Sequence, residues 1–231
     1  MKMKPIILIL LITIWGLIMF SCDSYVSLFD GESLTNWKIP DGDNGHWKVA
    51  DGIIDYDGKS EAEGDKNLWT EKEFANFILK VDWRFPREPV EEEVPIVLPD
   101  GSYALNEDST QKTVKVLDAG DSGIYLRGNS KSQINIWCWP IGSGEIWGYR
   151  TDKNQPPEVR KAATPLKCAD KPLGEWNTFV ITMIDDRVTV ELNGEKVIDN
   201  CQLPDVPEKG RIALQHHGDP IQFRNIMLRE L

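Results

Sequence analysis

The sequence predicts an all-β sandwich or jelly roll, built as one domain behind an N-terminal targeting segment. Three observations predict it. From Ser27 onward, apolar residues recur with period two in short runs. Tight-turn signals such as Asp51-Gly52 and Asn193-Gly194 separate the runs. No repeat, low-complexity tract or long amphipathic pattern interrupts the series.

The first stretch, MKMKPIILILLITIWGLIMFSC, has Lys2 and Lys4 ahead of an apolar run from Pro5 to Phe20. That is the charged start and apolar centre of a secretory signal, read here as residues 1–21. The run is short for a membrane span. Small Ser21 before Cys22 resembles a lipoprotein processing site, with Cys22 as the lipid-bearing residue. Ordinary secretion and an uncleaved anchor are the other readings. Each puts the domain, residues 26–231, outside the cytoplasm. The lipidated reading makes it a periplasmic or surface lipoprotein of a bacterial cell envelope, held to the membrane by its anchor.

About 210 residues then remain, a length that all-β single domains commonly reach. The formal net charge of the whole chain is −11. Without Lys2 and Lys4, 24 basic side chains face 37 acidic ones, a net of −13. Such a surface repels phosphate backbones, so nucleic acid is excluded as a partner and neutral ligands are not. Beyond Cys22 the cysteines are Cys138, Cys168 and Cys201, an odd number. None has zinc-site spacing. A Cys168–Cys201 disulfide suits an oxidising compartment, and Cys138 falls on an apolar strand face as a buried thiol.

The elements follow in order. HWKVADGIIDYDG reads as strand, turn, strand. FILKVDWRF, residues 77–85, alternates apolar and polar positions. Residues 86–116 are acidic, proline-bearing and aperiodic, a long loop or small β-excursion of the kind that is often functional. DSGIYLRG and SQINIWCWP read as the next strands, followed by the glycine-bearing loop IGSGEIWGYR and an irregular stretch over 151–173. WNTFVITMIDDRVTVELNGEKVID is a hairpin series turning at Asp185-Asp186 and Asn193-Gly194. GRIALQHHG and IQFRNIMLREL close the chain as strands.

Alternation gives three of these strands a distinctive face. In 121–127 it carries Asp121, Tyr125 and Arg127, with Gly123 leaving space. In 133–139 it carries Gln133, Asn135, Trp137 and Trp139. In 211–217 it carries Arg211, Ala213, Gln215 and His217, and parity sends His216 to the core side. A merely solvated face is the plainer reading, but such faces favour Lys, Glu, Thr and Ser. Amides and a guanidinium bond sugar hydroxyls, and indole plates cover the apolar side of a sugar ring. With nine Trp in the chain, the pattern points to carbohydrate, provided the three strands are neighbours.

Taken together and in order, several segments carry a resemblance. These are SLFDGESLTNWK, HWKVADGII, NLWT, DSGIYLRG, GEWNTFVITMIDDRVTVELNGEKVID and GRIALQHHGDPIQFRNIMLREL. The chain resembles the 3-keto-disaccharide hydrolase domain family over about Val26 to Leu231. The resemblance implies a concanavalin A-like jelly roll of two antiparallel sheets, with the site on the concave one. It also implies action on glycosides oxidised at C3. The chain departs from the family's usual pattern at His216, where aspartate is common, and at Asp121, where asparagine is common.

A 3-keto group acidifies the proton on C2. Its removal lets the glycosidic oxygen leave by elimination, and water then adds back for net hydrolysis. The route needs a base, an enolate stabiliser and an acid for the leaving group. His217 is the base candidate, with His216 as the other histidine. Arg127 suits the enolate, unless it serves a salt bridge to Asp121. Asp121, Glu145 and Tyr125 are candidate acids or orienters, and Trp137, Trp139 and Tyr149 candidate sugar platforms. No cofactor is required by the spacing, although a divalent metal held by His217 and a carboxylate would replace Arg127. The reading of a different class is a non-catalytic carbohydrate-binding lipoprotein using the same face.

Overall fold

The computed structural model describes residues 24–231, so the predicted targeting segment and Cys22 lie outside the described residues. In chain order the first strands are β1 (Val26–Ser27), β2 (Trp37–Lys38), β3 (Trp47–Ala50), β4 (Ile53–Tyr56) and β5 (Leu68–Thr70). There follow β6 (Phe77–Arg84), β7 (Val90–Pro95), β8 (Thr113–Asp118), β9 (Ser122–Leu126) and β10 (Asn129–Ile136). Two short helices, α1 (Trp147–Arg150) and α2 (Pro157–Ala162), lead to β11 (Asn177–Ile184), β12 (Arg187–Leu192) and β13 (Glu195–Gln202). The last strands are β14 (Ala213–Leu214) and β15 (Ile221–Glu230).

The larger sheet has the order β13-β12-β11-β6-β15-β4-β3, with β1 on β15. The smaller has the order β10-β9-β14-β5-β2. The chain crosses repeatedly between the sheets, among other places from β4 to β5, β5 to β6, β10 to β11 and β14 to β15, and the pairings within them are antiparallel. This is the jelly-roll sandwich that the alternation predicts. Phe77, Leu79, Val81 and Trp83 of β6, on one sheet, meet Ile124, Leu126, Ile134 and Ile136, on the other, in one buried core. Each such side chain is worth about 1.5–3 kcal/mol of burial.

The turns form where the sequence marks them. Asp51 and Gly52, and Asn193 and Gly194, all take positive φ, as a two-residue hairpin turn requires. Residues 86–118 form the β-excursion: β7 pairs with β8, and bridges Val97–Tyr103 and Leu105–Gln111 carry the hairpin further. The irregular stretch holds α2, whose Pro157 starts the helix at no hydrogen-bond cost. Of GRIALQHHG only Ala213 and Leu214 form a ladder, paired on both sides.

Three expectations are corrected here. Cys168 and Cys201 are both free thiols, one exposed and one buried, so they form no disulfide. Cys138 is only partly buried; its sulfur accepts the Ala119 N–H at 3.3 Å. Arg127 is not beside Asp121. It takes φ 51° at the turn after β9, which ends the alternation one residue early. Its guanidinium turns inward and donates to Ala75 O (2.9 Å), Asp185 O (2.5 Å), Pro207 O (3.0 Å) and Asn76 Oδ1 (3.1 Å). Arg127 therefore ties three connections together at one end of the sandwich. Arg127→Met strands those acceptors and should cost at least about 3 kcal/mol in urea unfolding. A loss under 1 kcal/mol would show that the pin is dispensable.

Candidate active site

Strand pairing brings the three polar faces together. Tyr125 pairs with Gln133 on one side and Ala213 on the other, and Ala213 pairs with Trp69. In the next row Gly123 pairs with Asn135, and its carbonyl accepts the Gln215 N–H at 2.9 Å. Asp121 and Trp137 follow at the ends of their strands. The larger sheet covers the opposite face through Ile124, Ile134 and Leu214.

The amides form one network. Gln133 Nε2 donates to Gln215 Oε1 at 2.8 Å and to Asn135 Oδ1 at 2.7 Å. With its oxygen engaged there, Asn135 is fixed with Nδ2 as a free donor, and that buried atom has no acceptor. Gly123 makes the network fit. A Cβ there would lie 2.6 Å from Gln133 Nε2 and 2.9 Å from Gln215 Oε1.

Asp121 is the exceptional acid. Its backbone N–H donates to Asp219 Oδ2 at 3.0 Å, while its own Oδ1 is buried without a partner. Burial, then the charges of Asp219, Glu145 and Asp118, push its carboxyl up to about 8. Arg87 moderates this cluster, 2.7 Å from Asp219 Oδ1 and 3.8 Å from Asp118 Oδ1. His217 is about half exposed, with Nδ1 4.0 Å from Asp219 Oδ2. Asp121 and His217 thus share Asp219 as a neighbour. His216 takes the other side, where parity puts it: its Nδ1 meets the Tyr56 hydroxyl, and burial pulls its pKa down.

Other predicted residues sit differently. Trp137 and Trp139 stack on each other at 4.0 Å and 11°, and Trp137 Nε1 donates to Gly142 O. Glu145 is fully buried, with its carboxylate clamped by Arg150, and burial pushes it up to about 7 against that pull. It is a support behind Asn135 and not a group open to a ligand. Tyr149 is no sugar platform. The turn of α1 carries it into the core, where its hydroxyl donates to Pro204 O at 2.9 Å.

Sequence reasoning missed Asp219, Arg87 and Trp69, which lie outside the three alternating runs over 121–127, 133–139 and 211–217. It also missed Tyr103, whose hydroxyl accepts from Arg150 Nη2 at 3.2 Å. Among the described residues no group of three or more His, Cys, Asp or Glu is placed to hold a metal ion.

The raised Asp121 pKa has a stability consequence. An unfolded aspartate titrates near ~3.9. Between about pH 4 and 8 the unfolded chain has released this proton while the folded chain keeps it, so stability falls as pH rises through that window. Asp121→Asn removes the penalty. Urea unfolding should find the variant more stable than the wild type by on the order of 2 kcal/mol near pH 8.5, with no difference below pH 4. A pH-independent difference would refute the assignment.

Known proteins share this arrangement of sheets. A Bacteroides thetaiotaomicron protein named 3-keto-disaccharide hydrolase is 23% identical over 249 residues, covering 90% of this chain and 79% of that protein. Two crystal structures of Parabacteroides distasonis proteins, described as candidate glycosyl hydrolases, superpose with TM-scores of 0.57 and 0.54 at 21% identity. They cover 90% of this chain and 95% and 100% of their own, and at that identity they share its fold. The sequence profile of the 3-keto-alpha-glucoside-1,2-lyase-like domain matches residues 24–229, and the chain belongs to that family.

Proposed function

We propose that this protein cleaves glycosides oxidised at C3, by removal of the C2 proton, elimination of the C1 oxygen and addition of water. The observation that carries the reading is Asp121. It is a half-buried carboxyl held protonated near neutral pH on a face of amides and aromatic rings. Membership of the family supplies the substrate class. The Bacteroides relative's name agrees with it.

The residues divide the work as follows. His217, open to solvent beside Asp219, takes the C2 proton. The electron pair moves onto the C3 oxygen, where the Asn135 amide donates to the developing enolate. The enolate collapses, the bond from C1 to the leaving oxygen breaks, and Asp121 protonates that oxygen. Water then adds at C1, its proton returning to Asp121, while His217 returns its proton to C2. Arg127 takes no part, because its donors are spent on backbone carbonyls. In the same reading Cys22 bears a lipid that holds the domain at the cell envelope.

The test is aglycone release from 3-keto-glucosides and from the parent glucosides, with the C2-deuterated keto substrate alongside. We expect release from keto substrates alone, slowed several-fold by deuterium. Asn135→Ala should lower kcat by about 10²–10³, and Asp121→Asn by about 10²–10⁴. Equal release from the parent glucosides would overturn the elimination route. Sugar binding with no release from either would leave a carbohydrate-binding lipoprotein.

A further inference from the structure

The polar face does not end at Tyr125. Trp69 stands in the same row, two strands away through Ala213, and its ring leans on Tyr125 at 5.9 Å and 51°. Ala213 is the smallest side chain in that row, so nothing bulky separates the two rings. Trp69 Nε1 donates to Asp65 Oδ2 at 2.7 Å, which fixes the indole before any ligand arrives. Beside it opens a cavity of about 760 Å³, within the range of small-ligand sites. Arg211 lines it, and the buried Arg211 Nε has no acceptor. Four basic and four acidic side chains share the walls. Those charges balance, so the lining suits a neutral, hydroxyl-rich ligand better than an ion.

From these contacts we propose a second saccharide subsite, built on the Trp69 ring and the Arg211 guanidinium, that takes a sugar ring beyond the one being cleaved. It rests on the reading of the concave face as a carbohydrate site. Two strand spacings and one row separate Trp69 from Gly123, roughly 12 Å between backbones. That is too far for the ring over Gly123 and suits one further along the same molecule. The preferred ligand is then a neutral oligosaccharide and not a simple glucoside. The indole covers the apolar face of the distal ring, and Arg211 donates to its hydroxyls.

Calorimetric titration of the domain with methyl α-glucoside, maltose and maltotriose tests this without any oxidised sugar. Affinity should rise with length. Trp69→Ala should weaken maltotriose about tenfold while weakening methyl α-glucoside much less. Trp69→Phe, which keeps a ring, should retain most of the length dependence, and Arg211→Ala should reduce it. Equal affinity for all three sugars, or equal loss for all three in Trp69→Ala, would overturn the subsite. Because these sugars are not oxidised, a failure to cleave 3-keto-glycosides leaves this result standing. Cleavage without length dependence sinks the subsite alone.

Discussion

A β-carbon at position 123 would lie 2.6 Å from the Gln133 amide nitrogen and 2.8 Å from its Cγ. The arrangement of the polar face depends on that missing atom. Gln133 must cross the space above Gly123 to reach Gln215 on the far side of β9. In crossing, it also holds the Asn135 oxygen. An amide has two ends, and engaging one decides where the other points. The free NH₂ of Asn135 is therefore set by a residue two positions before it and by a glycine on the next strand. Larger side chains at 123 would push these amides apart and leave buried donors at random angles, which costs more than the lost bonds themselves.

The carboxyls are sorted by what compensates them. Glu145 lies deepest but has Arg150 within salt-bridge reach on both oxygens. Asp219 has Arg87. Asp121 has no cation of its own, and three acids contribute negative potential to it. Burial disfavours the charged form of Asp121 and Glu145, but only for Asp121 is the penalty left without a cationic partner. A proton is the cheapest neutraliser available to it. This is how one short segment of chain keeps a carboxylic acid protonated near neutrality beside others that are paired.

The alternation of apolar and polar residues made the sandwich legible, along with the turns and the shared face of Tyr125, Gln133, Asn135 and Gln215. Period two is enforced by the pleat and holds wherever the backbone stays extended. It misleads at Arg127, which sits at φ 51° and so does not obey strand parity. Tyr149 belongs to a segment read as a loop, where no period says which way a side chain faces, and a helical turn carries it inward. A local run also cannot reveal partners that arrive from distant loops. Asp219 follows Gly218 in a turn, and Arg87 lies beyond β6, yet they meet 2.7 Å apart. The Cys168–Cys201 pairing failed on geometry of this kind, since one thiol is exposed and the other lies in the core.

An edge strand explains the remaining parts of the site. β10 ends the smaller sheet, and its outer polar groups need partners or become a template for other chains. The segment after it supplies them. Asn135 N–H donates to Glu145 O, Gly144 N–H donates to Asn135 O, and Ile134 bridges Ile146. Covering the edge this way carries the Glu145 side chain into the interior, where an unpaired carboxylate would be costly. Arg150, five residues on, offsets part of that cost and in turn donates to Gly101 O and Tyr103 Oη of the excursion. Edge protection, charge compensation and the seating of the hairpin are thus one chain of contacts. It ends electrostatically at Asp121, whose raised pKa includes the Glu145 charge. The acidity of the candidate proton donor depends on residues that never face the groove.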